Sequence, residues 1–194
     1  MDWRKKVLGL TLSLGFGFPA VTSAQSLDIN LNDDTVQGVL ALPLPWGGFG
    51  RSSWDLGVLY HEAERDDNWL FTLGAQVQGA AGADAPGLEF GAGLKLFVAD
   101  VNQKDVAAAT LGIGVRYAPP AFSRFYGSLS GYYAPDIVTF NDGEDFFAGD
   151  FRFGYEILPE AELYLGYRNI EAGIKNGQDA TVAEGWLVGM KILF

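Results

Sequence analysis

The sequence contains no cysteine, which excludes disulfide bonds and thiolate metal sites. It contains a single histidine, His61, which leaves little scope for a histidine-based metal or acid–base site. Its 13 bases are outnumbered by 24 acids, so the formal charge is −11 and no basic stripe can neutralise nucleic-acid phosphates. We therefore predict a protein with no metal, no cofactor and no nucleic-acid partner.

Long apolar runs are also missing after residue 24, where nothing approaches the roughly 18 uninterrupted apolar residues of a transmembrane helix. The first residues have a different character: Arg4, Lys5 and Lys6 precede an apolar run over 7–21, and small residues follow at 22–24. This order is typical of a secretory signal peptide, which we predict over residues 1–24. A membrane-spanning helix is the alternative, but the run is only 15 residues long and contains Pro19.

Removal of residues 1–24 would take away Asp2 and three bases, changing the formal charge from −11 to −13. The remaining residues, 25–194, provide enough apolar material for one domain and little room for two. Because no helix candidate is left after export, any membrane insertion has to use strands.

Apolar residues recur at every second position from residue 52 onward, in segments of about 10 residues, the length of a tilted bilayer-crossing strand. The segments are 52–63, 69–80, 88–98, 106–117, 122–133, 146–157, 161–171 and 182–194. Before them, the apolar phase switches at Asp33 and Asp34, which predicts a tight hairpin. The pattern favours an all-β, antiparallel up-and-down transmembrane β-barrel of ten strands, or of eight with an accessory N-terminal hairpin.

The last segment resembles the terminal strand of bacterial outer-membrane barrels. It ends on Phe194 and places bulky residues on one face, namely Val182, Trp186, Val188, Met190, Ile192 and Phe194. A periplasmic Phe194 puts inner turns at 45–51, 81–87, 118–121 and 158–160. Outer connections then fall at 33–34, 64–68, 99–105, 134–145 and 172–180. The two longest connections and most loop acids lie outside, as barrels of this class require.

The alternation also assigns charged side chains to the lumen. These are Asp55, Glu89, Asp150, Glu156, Glu162, Lys95, Arg116, Arg124, Arg152, Arg168 and Lys191. Five acids facing six bases predict a paired network, and a barrel of about eight strands is just wide enough to be filled by side chains. We expect a narrow or plugged polar lumen; a small-solute channel is the alternative.

Catalytic motifs are sparse. A lipid-modifying barrel enzyme would need His61 to meet a serine such as Ser128 or Ser130 and a carboxylate, and we predict that the protein is not an enzyme. The glycine pairs at 91/93 and 112/114 lack the rest of a dinucleotide fingerprint, so we expect them to make room for large side chains in the lumen. The acidic segment 141–145 lacks calcium-loop spacing, and we expect a solvated loop.

Residues 26–44, SLDINLNDDTVQGVLALPL, resemble the YfaZ family of small bacterial outer-membrane proteins, as do the chain length and the aromatic terminus. The resemblance implies a membrane barrel with no settled activity and transfers no site residues. We predict a porin-like protein of the Gram-negative cell envelope, with a structural or surface-interaction role, that contacts outer-membrane lipids and the barrel-assembly machinery. A soluble periplasmic β-sandwich is the non-membrane alternative.

Overall fold

The computed structural model describes residues 25–44, 50–62, 68–101, 104–175 and 180–194. The predicted signal peptide at 1–24 lies outside these residues. The described chain forms eleven β-strands in sequence order. They are β1 (Ser26–Leu31), β2 (Thr35–Pro43), β3 (Arg51–His61), β4 (Asn68–Ala80), β5 (Leu88–Val101), β6 (Lys104–Tyr117), β7 (Phe125–Ala134), β8 (Thr139–Asn141), β9 (Gly143–Leu158), β10 (Ala161–Ile174) and β11 (Ala180–Leu193).

Helical structure in the described residues is limited to two single 3-10 turns, Pro120–Phe122 and Asp136–Val138. None of the helices in this part of the chain is long and apolar enough to cross a membrane.

The strands close into a barrel because the first strand pairs with the last. β1 runs antiparallel to β11, with Leu27 opposite Ile192, and Gln25 exchanges two backbone hydrogen bonds of 2.9 Å with Phe194. Since β1 also pairs with β2, the N-terminal hairpin belongs to the wall. The ten-stranded barrel is confirmed, and both the eight-stranded alternative and the β-sandwich are wrong.

The short strand β8 is the one strand outside the ten-stranded circuit. It pairs with Val106, Ala107 and Ala108 of β6, whereas β7 pairs with the following part of β6 from Leu111 onward. β8 therefore extends the wall at the end of the barrel opposite Phe194. We call that end the outer end, and the end at Phe194 the inner end.

The outward face of the barrel carries a continuous apolar belt. Alternation along each strand sends every second side chain outward, and each of the ten barrel strands contributes at least one large exposed apolar residue. One example from each strand, in order, is Ile29, Val36, Leu56, Phe71, Leu94, Ile113, Leu129, Phe153, Leu165 and Val188. We call this surface the apolar belt. Exposed aromatic side chains, including Trp69 and Tyr133 toward the outer end and Trp54 and Tyr117 toward the inner end, lie near its margins.

The strands reach further toward the outer end than the sequence predicts. β5 continues to Val101 and β6 begins at Lys104, so most of the predicted connection 99–105 is strand. Likewise β10 extends to Ile174 and β11 begins at Ala180, inside the predicted connection 172–180. The predicted strand ends were too short because the alternation there uses small residues, which are weak markers of a strand.

One predicted outward residue faces the opposite way. Val182 is 0% exposed and points into the barrel. Pairing between β10 and β11 runs from Ile170 opposite Ala183 to Glu171 opposite Thr181, which leaves Val182 as an extra residue. Such a bulge shifts the side-chain phase of a strand, so the placement of Val182 with Trp186 on the bulky face was wrong.

Candidate functional site in the barrel interior

The interior of the barrel is divided into two halves of different chemistry. The outer half is filled by a cluster of buried apolar side chains, which we call the outer plug. Its members are Leu59, Leu70, Phe97, Ala99, Val106, Ala108, Ala134, Phe146, Ile170, Ala172, Ile174, Ala180, Val182 and Ala183. The prediction of a polar lumen is therefore wrong for this half.

Two phenylalanines form a large aromatic contact within the outer plug. The ring centroids of Phe97 and Phe146 lie 4.6 Å apart, and Phe146 is only 1% exposed. Small residues surround them: Ala108 lies opposite Phe97, and both Ala134 and Ala172 lie opposite Phe146. The small side chains leave the space that the rings occupy, so the outer half is packed like a protein core.

The inner half contains a cavity of about 940 Å³ whose lining includes eleven charged residues as well as apolar ones. We call it the inner cavity. It extends to residues of the inner turns, such as Leu44, Gly87 and Ala118, and at its other end it meets Phe97 and Ile170 of the outer plug. The barrel interior is therefore a polar recess that ends against an apolar wall.

Three inward tyrosines lie in the inner half of the barrel, and each lies against a glycine on a neighbouring strand. Tyr126 and Tyr132 line the inner cavity. The pairs are Tyr126 with Gly154, Tyr132 with Gly112, and Tyr164 with Gly189. A Cβ added to any of these glycines would overlap the tyrosine ring. Of the four glycines predicted to make room for large side chains, Gly112 is confirmed in that role, whereas a Cβ at Gly114 would meet only Leu129 O and Ser130 Cβ, at 3.6 Å.

A cationic side chain lies over each of these tyrosine rings. The Arg116 guanidinium lies 3.6 Å from the centroid of Tyr126, the Lys95 ammonium 4.7 Å from Tyr132, and the Arg152 guanidinium 4.5 Å from Tyr164. A cation within about 6 Å of a ring centroid is attracted by the negative face of the ring. The rings therefore hold the cationic side chains in fixed positions inside the barrel.

The same three cations pair with carboxylates. Lys95 Nζ lies 3.0 Å from Asp55 Oδ2, and Arg116 Nη2 lies 3.0 Å from Glu162 Oε1. Arg152 binds Asp28, which also accepts a hydrogen bond from the Tyr164 hydroxyl. The inner half of the barrel thus repeats one unit three times: a glycine, a tyrosine, a cation and a carboxylate.

A fourth cation lies deeper, next to the outer plug. Arg168 is 5% exposed, and its Nη2 is 3.6 Å from Asp150, whose other oxygen binds Arg152. Arg168 Nη1 is buried and has no hydrogen-bond partner in the described part of the chain. This guanidinium is therefore only partly neutralised.

Nine of the eleven charged residues predicted for the lumen line the inner cavity. They are Asp55, Glu89, Lys95, Arg116, Asp150, Arg152, Glu162, Arg168 and Lys191. Sequence reasoning did not give a role to Asp28, because β1 was too short to be assigned to the wall with certainty. It also missed the tyrosines as supports for the cations.

Arg124 was wrongly predicted to lie in the lumen. It precedes β7 in an inner turn and is exposed. Its contact with the Tyr155 hydroxyl, together with the charge of Glu156, raises the pKa of the guanidinium. Glu156 is half-buried near the end of β9. These two residues therefore form the rim of the barrel rather than part of its charged interior.

The candidate catalytic residues are not brought together. His61 ends β3, where its register partners are Thr35 and Asn68. Ser128 lies opposite Arg116 and Arg152, and Ser130 lies opposite Gly114 and Asp150. These serines belong to the inner cavity, whereas His61 lies near the outer end of its strand. No cluster of three or more His, Cys, Asp or Glu residues suited to a metal ion occurs within the described ranges.

A single antiparallel sheet of ten strands, closed on itself with an apolar exterior, makes this chain a small β-barrel protein of the up-and-down class. The chain belongs to the YfaZ precursor family, which matches residues 18–194. The resemblance seen at residues 26–44 is thereby confirmed over nearly the whole chain.

No curated protein sequence matches the chain. Among solved structures, one chain from work entitled "Unveiling the Mechanism Behind the in-meso Crystallization of Membrane Proteins" is similar, with 12% identity and a TM-score of 0.47. The similarity covers 89% of this chain and 83% of that one.

Proposed function

We propose that the protein is a non-enzymatic, integral outer-membrane β-barrel that does not conduct solutes and has a structural or surface-interaction role. The observation that carries this proposal is the apolar belt, which includes exposed large apolar residues from all ten strands. Soluble monomers rarely expose apolar patches larger than a few hundred Å². A hydrocarbon layer would cover such a belt on every side.

The outer plug favours a closed barrel over the channel alternative. A hydrated solute that entered through the inner cavity would meet buried apolar side chains, including Phe97, Phe146 and Ile170. Crossing them would require the loss of its hydration without replacement hydrogen bonds, which is costly. We therefore favour a barrier over a solute path.

The lipid-modifying enzyme is the weaker alternative, because the predicted serines lie in the inner cavity and the hydroxyl next to His61 in register donates a hydrogen bond to another residue. Thr35 is the hydroxyl-bearing residue directly opposite His61, and its hydroxyl oxygen lies 2.6 Å from Asn32 Oδ1. Replacement of His61 by Ala should therefore leave the lipid composition of the outer membrane unchanged.

The surface-interaction role is supported by the charge of the outer end. Exposed acids gather on the outer hairpins, at Asp33, Asp34, Glu62, Asp100, Asp105, Asp136, Asp142, Glu144 and Asp145. A surface of one sign attracts partners of the opposite sign. The expected partners in the envelope are outer-membrane lipids around the belt and the barrel-assembly machinery during insertion.

Cell fractionation and gel mobility test this proposal together. The mature protein should appear in the outer-membrane fraction, resist extraction with urea, and migrate differently with and without boiling in detergent. A matched pair of variants sharpens the test: Ile113→Asp on the apolar belt should impair insertion, whereas Asp105→Asn at the outer end should not. A soluble protein with unchanged mobility would exclude a membrane barrel.

A further inference from the structure

Lys191 is a cation of the inner cavity without a carboxylate of its own. It lies on β11 between two acids, opposite Asp28 of β1 and Glu162 of β10. Both acids are already occupied: Arg152 binds Asp28, and Arg116 donates two hydrogen bonds to Glu162. No carboxylate oxygen of the described residues lies within 4.0 Å of the Lys191 ammonium.

The charge balance of the inner cavity agrees with this local surplus. Its lining contains six bases and five acids. The rim pair of Arg51 and Glu89 is neutral, and the remaining five bases and four acids leave a formal charge of +1, whereas the chain as a whole is strongly acidic. Glu156 does not offset the surplus, because its charge acts on exposed Arg124 at the rim. The cavity is therefore a cationic recess in an acidic protein.

Further hydrogen-bond donors form a row across β6, β7 and β9 in the wall of the same cavity. Ser128 of β7 lies between Arg116 of β6 and Arg152 of β9 in register, and all three line the cavity. A guanidinium has five N–H donors, so these arginines keep donors free after binding their carboxylates. Deeper inside, Arg168 also lines the cavity, but its unpartnered Nη1 is itself buried.

We propose that the inner cavity binds a small solute through a phosphate or carboxylate group, with Lys191 as the charge partner of the oxyanion. Arg116, Ser128 and Arg152 supply further donors, since oxyanions are recognised by several charge-assisted hydrogen bonds. The volume of about 940 Å³ is sufficient for a metabolite-sized molecule. This binding goes beyond the proposed function, because it depends only on the interior of the barrel. Access of the solute from the periplasm does rest on the proposed function, which places the inner end on the periplasmic side.

Calorimetric titration of the refolded barrel in a neutral detergent tests the site, with glycerol phosphate as the probe and ionic strength held constant with chloride. The wild-type protein should bind the probe saturably. Lys191→Met should weaken binding at least about tenfold, the loss expected for one charge-assisted hydrogen bond. Lys175→Met is the matched control, because Lys175 is exposed at the outer end and should leave affinity unchanged.

A second variant tests the opposite direction. Glu162→Gln removes a carboxylate from the site and frees Arg116, so it should bind the probe about tenfold more tightly. Because this is a gain, misfolding cannot produce it, and it decides the question if Lys191→Met fails to refold. Equal affinity in wild type, Lys191→Met and Glu162→Gln would overturn the proposal, as would an absence of saturable binding to the heat-modifiable barrel.

The source of the oxyanion is tested with dihexanoyl phosphatidic acid, which carries the same phosphomonoester on an acylated glycerol. A free solute can enter the inner cavity, whereas a headgroup anchored in a micelle cannot reach Lys191 without drawing its chains into the barrel. The lipid should therefore fail to compete with glycerol phosphate. Competition that depends on Lys191 would contradict the assignment to a solute.

Discussion

The outer and inner halves of the barrel interior are built from the same ten strands but differ in what holds them together. The outer plug is a dry core of aromatic, aliphatic and alanine side chains around Phe97 and Phe146. The inner cavity is held by ion pairs and cation–ring contacts around a cavity of about 940 Å³. Strand alternation decides which residues point inward, but it does not decide the polarity of the interior at each depth.

The two halves of the interior are suited to different roles: the outer half to closing the lumen, and the inner half to binding a solute. If the interior were polar throughout, its polar groups could exchange their hydrogen bonds with each other for hydrogen bonds with water. Apolar side chains offer water no hydrogen bonds. In the proposed function, the outer plug is the barrier and the inner cavity is the recess. Variants that disturb one half should have effects that the other half does not share.

The largest effect is expected in the outer plug. Phe146→Ala should lower the free energy of unfolding by about 3–5 kcal/mol, because it leaves a cavity in a tightly packed cluster. The neighbouring Phe147 points outward and is 41% exposed, so Phe147→Ala is the matched control. Denaturant titration of the two variants in the same detergent measures both losses. Equal losses would mean that the plug is not a packed core.

A smaller effect is expected from the ion pair of Lys95 in the inner cavity. Lys95→Met should lower the free energy of unfolding by about 2–3 kcal/mol. This loss is smaller than that for a fully buried pair, because Lys95 remains partly accessible. Asp55, which is 2% exposed and accepts no hydrogen bond of regular geometry from the described residues, would lose its ion-pair partner. The double variant Asp55→Asn with Lys95→Met should recover most of the loss. If it were as unstable as the single variant, the pair would not be the cause.

The contacts between tyrosines and glycines give the next prediction. Gly112→Ala places a methyl group where the Tyr132 ring lies, so the ring has to move. This displacement should lower the free energy of unfolding by about 1–2 kcal/mol. Gly127→Ala is the control, since a Cβ at Gly127 meets no atom within 4 Å. Both variants can be compared by thermal unfolding followed by gel mobility. A larger loss for Gly127→Ala would argue against the packing of glycine and ring.

The smallest effect is expected at the inner rim. Arg51 Nη2 lies 2.7 Å from Glu89, but the Arg51 side chain is 74% exposed. An exposed pair contributes little, so Arg51→Gln should change the free energy of unfolding by less than about 0.5 kcal/mol. The same denaturant titration checks this value, and a loss equal to that of Lys95→Met would remove the distinction between rim and interior.

The fold could be predicted from the sequence because the lipid-facing positions form a strong period-two pattern. Leu94, Leu111 and Phe153 are large and recur regularly, so the strands and their inward faces followed from them. Val182 was misplaced because the bulge that reverses its direction depends on how β11 pairs with β10. A pairing irregularity leaves no periodic trace in a single strand.

The outer plug could not be predicted for a related reason. Ala99, Ala134, Ala172 and Ile174 fall in segments that look like connections, because small residues next to acids resemble a loop. They become a core only when strands from distant parts of the chain bring them together. The charged inner half was predicted better, since charges on the inward face of a strand are conspicuous, although their partners could not be assigned.

The most direct test of the account is conductance across a planar lipid bilayer containing the refolded wild-type protein, with its folding checked by heat-modifiable mobility. If the outer plug closes the lumen as proposed, the folded, inserted barrel should leave the conductance of the bilayer unchanged over a range of voltages. Stable, stepwise ion currents from the heat-modifiable wild-type protein would contradict the account and would make the inner cavity the entrance to a pore.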